Sequence, residues 1–99
     1  MLIHSVFFWL KPETTAAQRE AMTRGLESLR GIKSVDALYI GTRAALPERP
    51  VRDNSYDFGL TVVFKDIAAH DVYQIHPLHV AFNQAFRPLW VRVHVYDAV

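Results

Sequence analysis

Residues 2 to 10, Leu-Ile-His-Ser-Val-Phe-Phe-Trp-Leu, have the length and β-forming character of a strand, yet their alternation does not separate apolar from polar. His4, Val6 and Phe8 fall on one side and Ile3, Ser5, Phe7 and Trp9 on the other, so both sides carry bulky apolar groups. Such a strand must be covered on both faces. A chain of 99 residues has few elements with which to do this twice, and a domain so small buries a modest share of its surface when it folds alone. With 51% hydrophobic and 12% aromatic residues, some of its apolar surface is expected to face a second copy of the chain.

The remaining elements follow from periodicity and punctuation. Lys11-Pro12-Glu13-Thr14 breaks the first strand, and Thr14 or Thr15 can cap a helix over about 16 to 30. Its apolar stripe, Met22, Gly25, Leu26 and Leu29, opposes Arg19, Glu20, Arg24 and Glu27, with Gly31 as the stop. Residues 35 to 42 predict a second strand, and Tyr56 to Lys65 a third in which Tyr56, Phe58, Leu60, Val62 and Phe64 share a face. Between them, residues 43 to 55 are rich in proline and arginine and read as a lid or a spacer. Asp66 caps a helix over about 67 to 76, Pro77 ends it and opens another over about 78 to 87, and Pro88 stops that one. Residues 89 to 97 predict a fourth strand, with Val91, Val93 and Val95 against Trp90, Arg92, His94 and Tyr96.

The order β-α-β-β-α-β makes this an α+β, ferredoxin-like domain over residues 1-99. Right-handed crossovers give a four-stranded antiparallel sheet in the order 4-1-3-2 with the helices on one face. The other face is expected to pack sheet to sheet in a homodimer. A net charge of +1 with scattered Lys and Arg gives no footprint for nucleic acid or an anionic membrane, and no apolar run approaches bilayer length. The opening segment lacks the basic start and cleavage site of a signal peptide, and there is no cysteine, so a cytoplasmic location is expected.

Chemistry concentrates in Tyr73-Gln-Ile-His76-Pro-Leu-His79-Val-Ala-Phe82, where a tyrosine and two histidines stand three residues apart around a helix break. Histidine exchanges protons near neutral pH, and a tyrosine hydroxyl donates a hydrogen bond to an oxygen that gains charge. The pair suits enolisation of a ketone without a cofactor. The plainer alternative has His76 capping a helix, His79 satisfying a buried carbonyl, Tyr73 filling the core and His4 serving as a satisfied core histidine. His70 reads as part of a solvated helix face and His94 as a cross-strand contact. No metal is expected, because His76 and His79 have no cysteine or helically spaced carboxylate to complete a ligand set.

Ile3-His4-Ser5-Val6, Tyr56-Asp-Phe-Gly-Leu60 and the Tyr-x-x-His-Pro-x-His motif together resemble the stress-responsive A/B barrel (Dabb) family over essentially the whole chain. The resemblance implies a dimeric α/β barrel. Plant polyketide cyclases of the olivetolic acid cyclase type share the fold and the motif. By that comparison Tyr73 and His79 match the catalytic pair and His4 a pocket-lining histidine. His76, Val6, Phe8, Met22 and Leu26 are expected to support or line the same pocket. Where those cyclases carry large aromatic residues on the first helix, this chain has Met22, Gly25 and Leu26, so the alkyl-tail substrate is not carried over. The expectation is a cofactor-independent cyclase or isomerase for a small β-keto or polyketide-like compound. The rival is a non-enzymatic oligomeric or small-molecule-binding protein.

Overall fold

The computed structural model describes residues 1–99 and carries β1 (Leu2–Leu10), α1 (Ala16–Ser28), β2 (Val35–Thr42), β3 (Phe58–Phe64), α2 (Ile67–Ile75), α3 (Pro77–Phe86) and β4 (Trp90–Ala98), with 3-10 turns at Leu29–Gly31 and Arg87–Leu89. The strands form one antiparallel sheet in the order β2-β3-β1-β4, as the sequence predicts. Local chemistry sets the helix starts. Thr15 and Gln18 close a reciprocal capping box, at 3.1 Å and 2.8 Å, and the Asp66 carboxylate accepts the Ala69 N–H at 2.9 Å. Each cap is worth about 1 kcal/mol.

The helix break at Pro77 is built from one residue serving two helices. His76 ends α2 and caps α3, held at φ −65° and ψ 139° by the proline that follows, and its Nδ1 accepts the Leu78 N–H at 3.1 Å. One continuous core lies between the helices and the sheet. Phe8, Leu60, Val62 and Phe64 meet Met22, Leu26, Tyr73 and Phe82 there. Gly25 lets α1 and α3 approach: a Cβ at this position would lie 2.3 Å from Phe86 Cε2 and 3.1 Å from Phe82 Cδ1. Gly25→Val is therefore expected to lower stability by about 1–3 kcal/mol through overpacking, read as a lower urea midpoint at unchanged slope.

Two facing assignments differ from the sequence reading. Trp9 pairs with Arg92 but Leu10 with Trp90, so Val91 is an extra residue in β4. This bulge turns Trp90 onto the helix face, where its ring centroid is 5.0 Å from that of Phe8, and separates it from Arg92, His94 and Tyr96. Tyr56 lies before β3 and packs on Phe7, with centroids 4.9 Å apart, on the side opposite Phe58, Leu60, Val62 and Phe64.

The face away from the helices is aromatic and uncovered. Ile3, Tyr39 and Tyr96 are exposed there, with half-buried Phe7 and Trp9 between them. The Arg92 guanidinium stacks 4.3 Å above the Trp9 ring, and His94 stacks on Tyr96. The end of the 43–57 connection is tied to this face through Trp9 Nε1–H donating to Ser55 Oγ at 2.9 Å. The helices also leave part of their own side open. Val93 and Val95, paired with Phe8 and Val6, remain exposed, so a gap persists between α3 and β4.

Candidate acid/base site

That gap is a cavity of about 350 Å³, lined by side chains of β1, β3, β4, α2 and α3 and by Arg87 in the turn after α3. Its walls are mainly apolar, from Val6, Phe8, Phe82, Trp90, Val93 and Val95, with His4, Tyr73 and His79 among them and Gln74, Asn83 and Arg87 as further polar groups.

Tyr73 on α2 and His79 on α3 are brought together by the bend at Pro77, which puts their ring centroids 4.5 Å apart at an interplanar angle of 42°. His79 Nδ1 lies 3.1 Å from the Gln74 carbonyl oxygen. A carbonyl can only accept, so that nitrogen carries a proton and Nε2 is the basic position of the neutral ring. Burial, the largest effect, pulls the His79 imidazole below the ordinary histidine range and outweighs the Gln74 contact, which favours the charged form. Electrostatic repulsion from the neighbouring His4 and His70 imidazoles adds to the lowering. His79 is thus neutral at pH 7. Tyr73 is 1% exposed, and burial pushes its hydroxyl well above the ordinary tyrosine range, so it remains a hydrogen-bond donor. The pair therefore has the protonation states that a base and an electrophilic donor require.

His4 stands on the same wall, its centroid 6.1 Å from that of Tyr73. It is 4% exposed, and its Nδ1 lies 2.5 Å from Oδ1 of Asp97, its direct cross-strand neighbour on β4.

Val6 and Phe8 line the cavity, whereas Met22 and Leu26 lie apart from it. Both are completely buried in the core, because the α1 stripe points straight at the sheet and leaves no space beneath it. His76 is also apart from the cavity, its ring used to cap α3. Several groups escaped the sequence reading. Phe82, which belongs to the motif, and Trp90, Asn83 and Arg87 all reach the cavity. His70 is not on a solvated face: it is half-buried and meets His4 edge-on at 5.1 Å, a position its spacing three residues before Tyr73 could have signalled.

The profile of the Stress Responsive A/B Barrel Domain matches residues 2–99. Olivetolic acid cyclase of Cannabis sativa is 25% identical over 95 residues, spanning 95% of this chain and 91% of that protein. A Dabb-family protein with a ferredoxin-like fold from Mesorhizobium loti superimposes with a TM-score of 0.79 at 27% identity, over 99% of this chain and 94% of that one. A dimeric ferredoxin-like protein of unknown function from Thermobifida fusca does so with a TM-score of 0.82 at 19% identity, over 99% and 89% of the two chains.

Proposed function

We propose that this chain, which belongs to the stress responsive A/B barrel domain family, is a homodimeric acid/base enzyme that works without a cofactor on a small β-keto or polyketide-like compound. The observation that carries the proposal is the Tyr73–His79 pair on the wall of an apolar cavity, with His79 neutral and Tyr73 held as a donor. His79 takes a proton from the carbon between two carbonyls. Tyr73 hydrogen-bonds one of those carbonyl oxygens as it becomes an enolate, and the carbanion attacks a further carbonyl, more distant along the same molecule, to close a ring and leave an alkoxide. The protonated His79 returns its proton to that alkoxide. The relation to olivetolic acid cyclase supports a reaction of this class.

A cavity reached by both side chains favours this reading over one in which the fold serves only as an assembly. The test is a thermal-shift screen of linear β-diketones, β-keto acids and longer chains with three or more alternating carbonyls, followed by NMR of the compounds that bind. Binding to the folded state raises the melting temperature, and turnover appears as loss of the α-proton or as ring closure. A screen in which no such compound shifts or turns over ends the proposal.

The lowered His79 pKa sets the pH dependence. The base is active only when neutral, so turnover is expected to stay on its plateau as pH falls through about 6.5 and to decline only lower, through the folded-state pKa. Stability follows the same group. Below about pH 6.5 the unfolded chain binds a proton that folded His79 refuses, so the His79 contribution is full above that pH and is lost as pH falls through the folded value. A rate profile whose acid limb is centred at or above about 6.5 would contradict the assignment of His79 as the base.

A further inference from the structure

A second convergence of donor side chains lies on the far side of His4. Three elements distant in sequence send His4 from β1, His70 from α2 and Asp97 from β4 to one place, where one ring nitrogen from each histidine and one carboxylate oxygen all lie within 4.8 Å of one another. A separate hollow of about 280 Å³, lined by Leu2, Ile67, His70, Asp71, Asp97 and Val99, adjoins them.

We propose that His4, His70 and Asp97 form a binding site for a divalent transition-metal ion of the zinc type. Two imidazoles and a carboxylate suit zinc, cobalt or nickel, whereas magnesium and calcium favour oxygen ligands throughout. Ligand bonds of about 2.0–2.2 Å bring donor atoms to separations of roughly 3–4 Å. The donor set spans no more than 4.8 Å, so small adjustments suffice: the widest separation closes while the His4–Asp97 pair opens from 2.5 Å, and the three side chains differ in their freedom to move. His4 is almost fully buried and fixed, while the side chains of His70 and Asp97 are 18% and 44% exposed. The ion replaces the His4–Asp97 hydrogen bond that joins the pair without it. The His70 ring nitrogens meet Asp71 Oδ1 at 3.2 Å (Nδ1) and the Gln74 side-chain amide at 2.9 Å (Nε2); the nitrogen that binds the ion gives up its contact, and the other keeps its partner and orients the ring. The adjoining hollow supplies an entry path and room for water on the remaining coordination positions. The lining of the catalytic cavity includes His4 but neither His70 nor Asp97, so the site borders the Tyr73–His79 pair without belonging to it.

The test is calorimetric titration of chelator-treated protein with zinc chloride at pH 7, with cobalt(II) absorption as a second readout of coordination. One ion per chain is expected. His70→Ala and Asp97→Asn should each weaken binding at least tenfold and diminish the cobalt bands. His76→Asn removes a histidine outside the site while keeping a capping side chain, and it should leave binding unchanged. Circular dichroism checks that each variant folds, and His70→Ala decides the matter if Asp97→Asn does not. Binding no tighter than about millimolar in the wild type, or undiminished binding in folded His70→Ala, overturns the proposal.

Discussion

Phe7→Asp is expected to convert the protein from a dimer to a monomer. Phe7 lies on the uncovered sheet face, with its ring 4.9 Å from that of Tyr56 and 6.5 Å from that of Tyr96, and exposed Ile3 and Tyr39 share that face. A contiguous aromatic surface of this kind is uncommon on a small monomer. Packing it against a second copy is expected to bury more than about 1,000 Å² in total. A carboxylate at its centre would be buried without a partner, at about 2 kcal/mol or more per copy. A two-fold interface contains the substitution twice, so the dissociation constant should rise on the order of 10³-fold. The core lies on the other side of the sheet, so the monomer should retain its circular dichroism. Sedimentation velocity reads the result. A wild-type chain that sediments as a monomer at micromolar concentration, or a Phe7→Asp variant that stays dimeric, would remove the sheet face as the interface.

The fold was legible wherever one residue type dictates the backbone. Pro77 could only end one helix and begin the next, and Thr15 and Asp66 stand where helix starts need an accepting side chain. The double-sided first strand announced both the helix layer and the uncovered face. The bulge at Val91 was not legible, because one extra residue in a strand leaves no mark on its composition. That single residue decides whether Trp90 faces the cavity or the solvent side. Tyr56 was misread for a related reason: period-two counting cannot tell where a strand begins.

The site was legible in its local part and hidden in its distant part. Tyr73 and His79 lie within one short segment, and the bend that Pro77 announces in the sequence brings them together. Asp97 meets His4 only through the register of two strands at opposite ends of the chain, which no local pattern encodes. Met22 and Leu26 show the reverse error. A stripe of apolar residues says which helix face is buried, but not whether the volume beneath it is filled or empty, and here it is filled.

His79→Ala is expected to lower turnover of a β-keto substrate by on the order of 10²-fold or more, because no other group holds an unprotonated nitrogen against Tyr73 in this way. Tyr73→Phe should cost a comparable factor while keeping the ring that packs on Phe64 at 5.0 Å, since only the hydroxyl is lost. The two variants differ in stability. His79→Ala leaves the Gln74 carbonyl without its donor and removes a half-buried ring, so it should destabilise the fold by about 1–3 kcal/mol. Tyr73→Phe removes a hydroxyl that makes no hydrogen bond within the protein, on a residue that lines the cavity, and should leave the urea midpoint nearly unchanged. A purely structural role for both residues predicts the opposite pairing of effects: His79→Ala would lose stability with no activity to lose, and Tyr73→Phe would be silent in every assay. Tyr73→Phe is therefore the decisive variant. A large fall in rate at unaltered stability can arise only if the hydroxyl acts on the substrate, and an unchanged rate would remove Tyr73 from the mechanism.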